Sequence, residues 1–112
     1  MTNLLFVCSR NLWRSRTAED LYRDTPGLSV KSCGTASSAV RKVSQALLDW
    51  ADLVVCMERK HRDRIEQRFG REALSGAEAM VLDIPDEYRR GDLELIGMLR
   101  DELDHRLLNE DK

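Results

Sequence analysis

Short, uninterrupted apolar runs alternate with helical stripes along this chain, and that alternation limits the folds open to it. Leu4-Leu5-Phe6-Val7, Leu53-Val54-Val55-Cys56-Met57 and Ala79-Met80-Val81-Leu82 are continuously apolar rather than apolar at every second residue. Strands buried on both faces have this composition, and such strands belong to parallel sheets covered by helices. Leu28-Ser29-Val30-Lys31-Ser32, ahead of Gly34, alternates and predicts a more exposed strand. A first helix is expected from Ser15 or Thr17, with Ala18, Leu21 and Tyr22 on one face, Thr17 and Asp20 approximating a capping box, and Pro26-Gly27 as its breaker. Val43, Leu47, Trp50 and Ala51 fall at helical spacing behind Ser44. Met57, Ile65 and Phe69 mark the inward stripe of a very basic helix over residues 59–69, closed by Gly70. Asp92 caps a last helix in which Leu95, Leu99, Leu103 and Leu107 recur every four residues, with Gly97 a weak point inside it. Residues 36–42 and 84–91 read as loops.

Strand and helix thus alternate four times, which predicts an α/β protein of three αβα layers: a four-stranded parallel sheet with right-handed crossovers. The expected strand order is 2-1-3-4, the flavodoxin-like arrangement. In it the chain reverses between strands 1 and 3, and ligands bind beyond the carboxyl ends of the strands at that crevice. Cys8 ends the first strand and so lies there. The length, 112 residues, fits a single domain spanning 1–112. A net charge of −2 gives no electrostatic case for nucleic-acid binding. No 18-residue apolar run and no signal-peptide pattern in residues 1–7 point to a membrane, so a cytoplasmic location is expected. The cysteines, at 8, 33 and 56, form an odd set, which favours free thiols over a disulfide framework. Nothing in the sequence sets an oligomeric state.

The chemistry concentrates in Cys8-Ser9-Arg10-Asn11-Leu12-Trp13-Arg14-Ser15, where a strand hands over to a helix. Such a turn aims backbone N–H groups and a helix N-terminus at one point, an anion site. Arg14 adds a planar fork able to grip two phosphate oxygens. Cys8, facing that field, is expected to ionise readily and to act as a nucleophile. Ser15 is expected to donate its hydroxyl to the Cys8 sulfur, with helix capping as its competing role. Asn11 suits a left-handed backbone position and can tie the loop to its neighbours. Ser9, Arg10, Leu12 and Trp13 complete the loop, Leu12 and Trp13 as pocket walls and Arg10, like Arg89, as an attractor of anionic substrate or a plain solvated charge. His61 and His105, without a ligand partner at metal spacing, are read as surface residues. No metal or other cofactor is called for, because the loop itself supplies the neutralising charge.

The same loop, with Thr17-Ala18-Glu19 behind it, resembles the amino-terminal signature of the low-molecular-weight protein tyrosine phosphatases, Cys-x-x-Asn-x-x-Arg-Ser-Pro followed by Ala-Glu. Arg16 stands where proline is usual. Ser32-Cys33-Gly34-Thr35 is similar to the family's Ser-Ala-Gly-Thr turn, residues 50–58 to its third strand, and Ile84-Pro85-Asp86-Glu87-Tyr88 to the Asp-Pro-Tyr loop that carries its general acid, with Glu87 in the proline's place. The segment between Thr35 and Trp50 is shorter than usual, which resembles a compact bacterial branch. The resemblance implies a phosphomonoester hydrolase with a phosphocysteine intermediate on Cys8, phosphate held by Arg14, Asp86 as general acid (Asp83 the other candidate), and Tyr88 at the pocket mouth against an aryl phosphate or protein phosphotyrosine. Two further functions stay open on the sequence. An arsenate reductase would need Cys33 or Cys56 to reach Cys8. A low-turnover module would bind phosphate or a phosphopeptide without consuming it.

Overall fold

The computed structural model describes residues 1–108, so the last four residues of the expected domain lie outside the description. Four strands, β1 (Thr2–Cys8), β2 (Leu28–Gly34), β3 (Leu53–Cys56) and β4 (Glu78–Val81), alternate with α1 (Arg14–Tyr22), α2 (Gln45–Trp50), α3 (Arg59–Phe69) and α4 (Leu93–Leu107). The sheet is wholly parallel in the order β2-β1-β3-β4, as the alternation predicts. β1 and β3 are central, and Leu4 to Cys8 and Leu53 to Cys56 are buried throughout. β2 and β4 flank them and are only half-buried over most of their length, matching the alternating pattern of residues 28–32.

Each face of the sheet carries its own core. Leu4, Phe6, Cys8, Leu53, Val55 and Met57 pack with Ala18 and Tyr22 of α1 and with Leu95, Leu99, Leu103 and Leu107 of α4. Leu5, Val7, Cys33, Val54 and Cys56 pack on the other face with Leu48 of α2 and Ile65 of α3. Fully burying one such aliphatic side chain contributes about 1.5–3 kcal/mol, so the two-sided central strands dominate the stability of the sheet.

Helix ends follow local chemistry. The Ser44 hydroxyl accepts from Leu47 N at the start of α2, Asp92 accepts from Glu94 N at the start of α4, and Gly70 ends α3 with a φ of 100°. α1 differs from expectation. It begins at Arg14, and Thr17 lies inside it, donating to the Trp13 carbonyl at 2.6 Å instead of capping. The Thr17 hydroxyl in turn accepts from Gly91 N at 3.1 Å, so a residue read as a cap ties α1 to the loop before α4. Among the described residues no helix is long and apolar enough to cross a membrane.

Candidate active site

β1 delivers Cys8 to the carboxyl edge of the sheet, and residues 9–13 curl back to start α1. The outward side of this loop is held carbonyl by carbonyl. Cys8 O accepts from Thr35 N, Ser9 O from Ala36 N, Arg10 O from Val40 N and Asn11 O from the Arg16 side chain. A loop whose carbonyls are turned outward presents its N–H groups to the inside. Trp13, at the N-cap of α1, gives no side-chain cap, so the first N–H groups of that helix have no side-chain acceptor from their own cap. Asn11 takes the left-handed backbone (φ 56°) that lets the loop turn so tightly. Gly34 lies directly beneath: a Cβ there would collide with the Ser9 carbonyl oxygen and come within 2.9 Å of Asn11 N.

The buried side chains form one directed chain of hydrogen bonds. Asn11 accepts from Arg41 N at 3.2 Å, so its amide nitrogen is the donor, and it donates to Ser15 Oγ at 2.8 Å and Ser32 Oγ at 2.9 Å. Ser32 in turn donates its hydroxyl to the Glu19 carboxylate. Ser15, already accepting, sits 2.9 Å from Cys8 Sγ. Cys8 Sγ is the one partner of Ser15 able to accept its proton, since the Asn11 amide nitrogen only donates.

Arg14 is 1% exposed and anchored from behind. One terminal nitrogen donates to Glu58 Oε1 at 2.6 Å and to the Ile84 carbonyl at 2.8 Å. Burial pushes the Glu58 carboxyl up, but the hydrogen bond and charge of Arg14, helped by Lys60 and His61, outweigh it and hold the group below its ordinary value. The Arg14 Nε is buried without a hydrogen-bond partner, and Asp86 Oδ1 lies 3.6 Å away, too far for a hydrogen bond. Buried guanidinium donors are ordinarily satisfied, so this Nε is a donor in want of an anion. Arg14 also lines a cavity of about 50 Å³, together with Cys8, Arg10, Leu12, Trp13 and Asp86.

Six of the ten residues singled out in the sequence thus line one cavity. Asn11 and Ser15 stand behind it, buried, and Ser9 is bound to His61 at 2.9 Å. Tyr88 is not in the lining: its ring rests against the α1–α4 core and its hydroxyl approaches Glu94 at 3.5 Å. Asp83 is exposed, with φ 63°, and is likewise outside the lining. Two readings need correction. His61 is not a surface residue but fully buried, because it completes the capping box of α3: its Nδ1 accepts from Glu58 N at 3.0 Å. The arsenate reductase that needs Cys33 or Cys56 to reach Cys8 is not favoured, because both belong to the core on the other face of the sheet. Both pair with Val7 in register and share its face of the sheet, whereas Cys8 is on the opposite face. They flank β1 from either side, roughly 10 Å apart at the strand spacing, beyond disulfide reach of each other. Burial pushes both thiols up, Cys56 to about 12. Glu58, which the sequence marked only as the end of a strand motif, is the functional neighbour that was missed.

No protein-family model and no curated protein matches the sequence. Solved structures do. The tyrosine phosphatase Wzb from Escherichia coli K30, in complex with phosphate, superposes over all of both chains with a TM-score of 0.73 at 25% identity. The low-molecular-weight protein tyrosine phosphatase SP-PTP from Streptococcus pyogenes covers 95% of this chain and 93% of its own with a TM-score of 0.75 at 14% identity. This is the fold of the low-molecular-weight tyrosine phosphatases. YwlE arginine phosphatase from Geobacillus stearothermophilus has it too, with a TM-score of 0.69 at 24% identity over 100% of this chain and 99% of its own. The phosphatase fold agrees with the sequence resemblance, which runs from Leu4 to Tyr88, and with the expected strand order. Among the described residues no cluster of three or more His, Cys, Asp or Glu is arranged to hold a metal ion.

Proposed function

We propose that the protein is a cysteine-dependent phosphomonoester hydrolase that acts on aryl phosphates, protein phosphotyrosine among them, through a phosphocysteine on Cys8. The observation that carries this reading is the buried Arg14, its Nε without a hydrogen-bond partner, lining the same small cavity as Cys8 and Asp86. A phosphoryl group seated in the loop would accept from the inward N–H groups and from Arg14, which stabilises charge on its equatorial oxygens. The Cys8 thiolate attacks phosphorus in line with the leaving group. The S–P bond forms, the P–O bond to the leaving oxygen breaks, and Asp86 gives that oxygen its proton. A water then attacks phosphorus, Asp86 takes up a proton from it, and the S–P bond breaks to release orthophosphate and the thiolate, which Ser15 stabilises as leaving group.

Leu12 and Trp13, 37% and 36% exposed, wall the cavity with apolar surface, and this favours an aromatic leaving group over the guanidinium of phosphoarginine. Arsenate reduction through a cysteine cascade is disfavoured because Cys33 and Cys56 lie across the sheet from Cys8. The test is hydrolysis of p-nitrophenyl phosphate, phosphotyrosine peptide and phosphoarginine peptide by the protein and by Cys8→Ser. The expected result is turnover of the aryl esters that vanishes in Cys8→Ser, is inhibited by vanadate and orthophosphate, and is indifferent to EDTA. Turnover that survives Cys8→Ser, or that EDTA abolishes, contradicts the mechanism; phosphate binding without turnover favours a binding module.

A further inference from the structure

We infer that His61 and Ser9 are a positioning pair for the phosphate loop, in which a neutral imidazole on α3 donates into the hydroxyl of the residue that follows the nucleophile. The inference rests on the phosphatase reading of the loop and extends it to the opposite side of the sheet's edge.

The proton assignment follows from the neighbours. His61 Nδ1 accepts from the backbone N–H of Glu58 at 3.0 Å, so that nitrogen carries no proton. A neutral imidazole then has its proton on Nε2, and Nε2 lies 2.9 Å from Ser9 Oγ, which must accept. The ring is 0% exposed, and burial, followed by the nearby Arg14 charge, pulls it down to about 4, so the neutral form persists over the physiological range. Glu58 acts in the opposite sense on His61 but is outweighed.

The consequence lies in where the loop is held. Its outward carbonyls from Cys8 to Arg10 are bound by residues 35–40 on the β2 side. On the β3 side the start of α3 supplies two further anchors: Glu58 grips Arg14 at the far end of the loop, and His61 grips Ser9 at the near end. Glu58 and His61 also satisfy one another's helix-cap groups, so the two anchors move as one body. Removing the Ser9 anchor leaves this end of the loop held from the β2 side alone, through the Cys8 and Ser9 carbonyls, and the inward N–H groups converge less tightly on the phosphoryl oxygens. His61 touches no substrate; it acts through Ser9.

The experiment compares His61→Leu, His61→Gln, Ser9→Ala and the double change His61→Leu/Ser9→Ala, with kcat and KM on p-nitrophenyl phosphate and the inhibition constant of inorganic phosphate. One neutral hydrogen bond corresponds to about three- to tenfold in kcat/KM. His61→Leu is expected to show that loss and to weaken phosphate inhibition in parallel. His61→Gln, which retains an N–H donor of similar reach, is expected to recover most of both. The double change should cost no more than His61→Leu alone, since that variant already lacks the bond that Ser9→Ala removes. Ser9→Ala leaves α3 and its cap untouched and carries the test if His61→Leu does not fold. Additive losses, or an active enzyme in which Ser9→Ala and His61→Leu leave phosphate inhibition unchanged, overturn the inference alone. A wild-type protein that neither hydrolyses the ester nor binds phosphate overturns the phosphatase reading and this inference with it.

Discussion

Ser15 has one hydroxyl proton, and the hydrogen bonds around it leave that proton one destination. Because Asn11 donates into Ser15, and Asn11 is itself oriented by Arg41 N, the proton points at Cys8 Sγ 2.9 Å away. At the residue scale the arrangement concerns direction: Arg41 N orients Asn11, Asn11 donates to Ser15, and the Ser15 hydroxyl is left with the Cys8 sulfur as its acceptor. Arg14 is oriented in the same manner, with Glu58 and the Ile84 carbonyl holding one nitrogen and leaving Nε for the ligand. Asp86 is half exposed and adjoins that Nε, whereas Asp83 lies outside the cavity lining. Asp86→Asn is accordingly expected to lower turnover of alkyl-like, poorly leaving phosphate esters by about 10²–10⁴-fold, the usual contribution of a general acid, and to have a much smaller effect on p-nitrophenyl phosphate. A leaving-group series measured on Asp86→Asn and Asp83→Asn checks this. A loss confined to Asp83→Asn would move the acid to that residue.

Among the elements, the loop that carries Asp86 is the one whose placement is least obvious and most consequential. It is tied down at both ends: Ile84 O accepts from Arg14, while Arg90 forms a two-pronged pair with Asp20 of α1 at 2.8 and 2.9 Å and Gly91 N donates to Thr17. The pair is exposed, so it contributes at most about 1 kcal/mol to stability. Its effect on the loop is a different matter. Arg90→Ala is expected to leave the unfolding midpoint nearly unchanged and to reduce turnover of poorly leaving esters several-fold more than that of p-nitrophenyl phosphate. Equal effects on both ester types would show that the clamp does not position the acid. Much of this scale was legible in the sequence. Leu4 to Val7 and Leu53 to Cys56 announce central strands because burial on two faces leaves no polar positions, and Ser44, Gly70 and Asp92 mark helix ends by cap chemistry. Thr17 misled because a hydroxyl that serves as a cap elsewhere here donates to Trp13 and accepts from Gly91, a partner 74 residues away. His61 misled for a similar reason. It stands in a run of charges on α3, and neither its burial nor its bond to Ser9, 52 residues distant, leaves a mark in local composition. Gly34 carried a visible motif, but the reason for it, the loop backbone pressed against its Cα, is tertiary.

The molecule as a whole couples its stability to the protonation of groups that hold the site. His61 has its folded value depressed from 6.5 to about 4, so between those pH values the unfolded chain binds a proton that the folded chain does not. Stability from this source is complete above about pH 6.5 and is lost as pH falls toward 4, by on the order of 3 kcal/mol for a shift of that size. Glu58, also depressed, adds to the loss below its ordinary value of 4.5. At the alkaline end, burial and the hydrogen bond to Asp104 raise Tyr22, so its contribution is lost as the unfolded chain ionises above pH 10. Urea unfolding measured from pH 7 to 4 should show falling stability in wild type and a flatter profile in His61→Gln. Parallel profiles would mean that the buried imidazole is not the source.

All three scales bear on one proposed event, the transfer of a phosphoryl group to Cys8. The most direct test is rapid acid quench of the protein turning over p-nitrophenyl phosphate, followed by peptide mass spectrometry. The account predicts one added phosphoryl group on the peptide containing Cys8, absent from Cys8→Ser and accumulating further in Asp86→Asn with this good leaving group. Turnover that leaves Cys8 unmodified while another side chain becomes phosphorylated, or while none does, would contradict it.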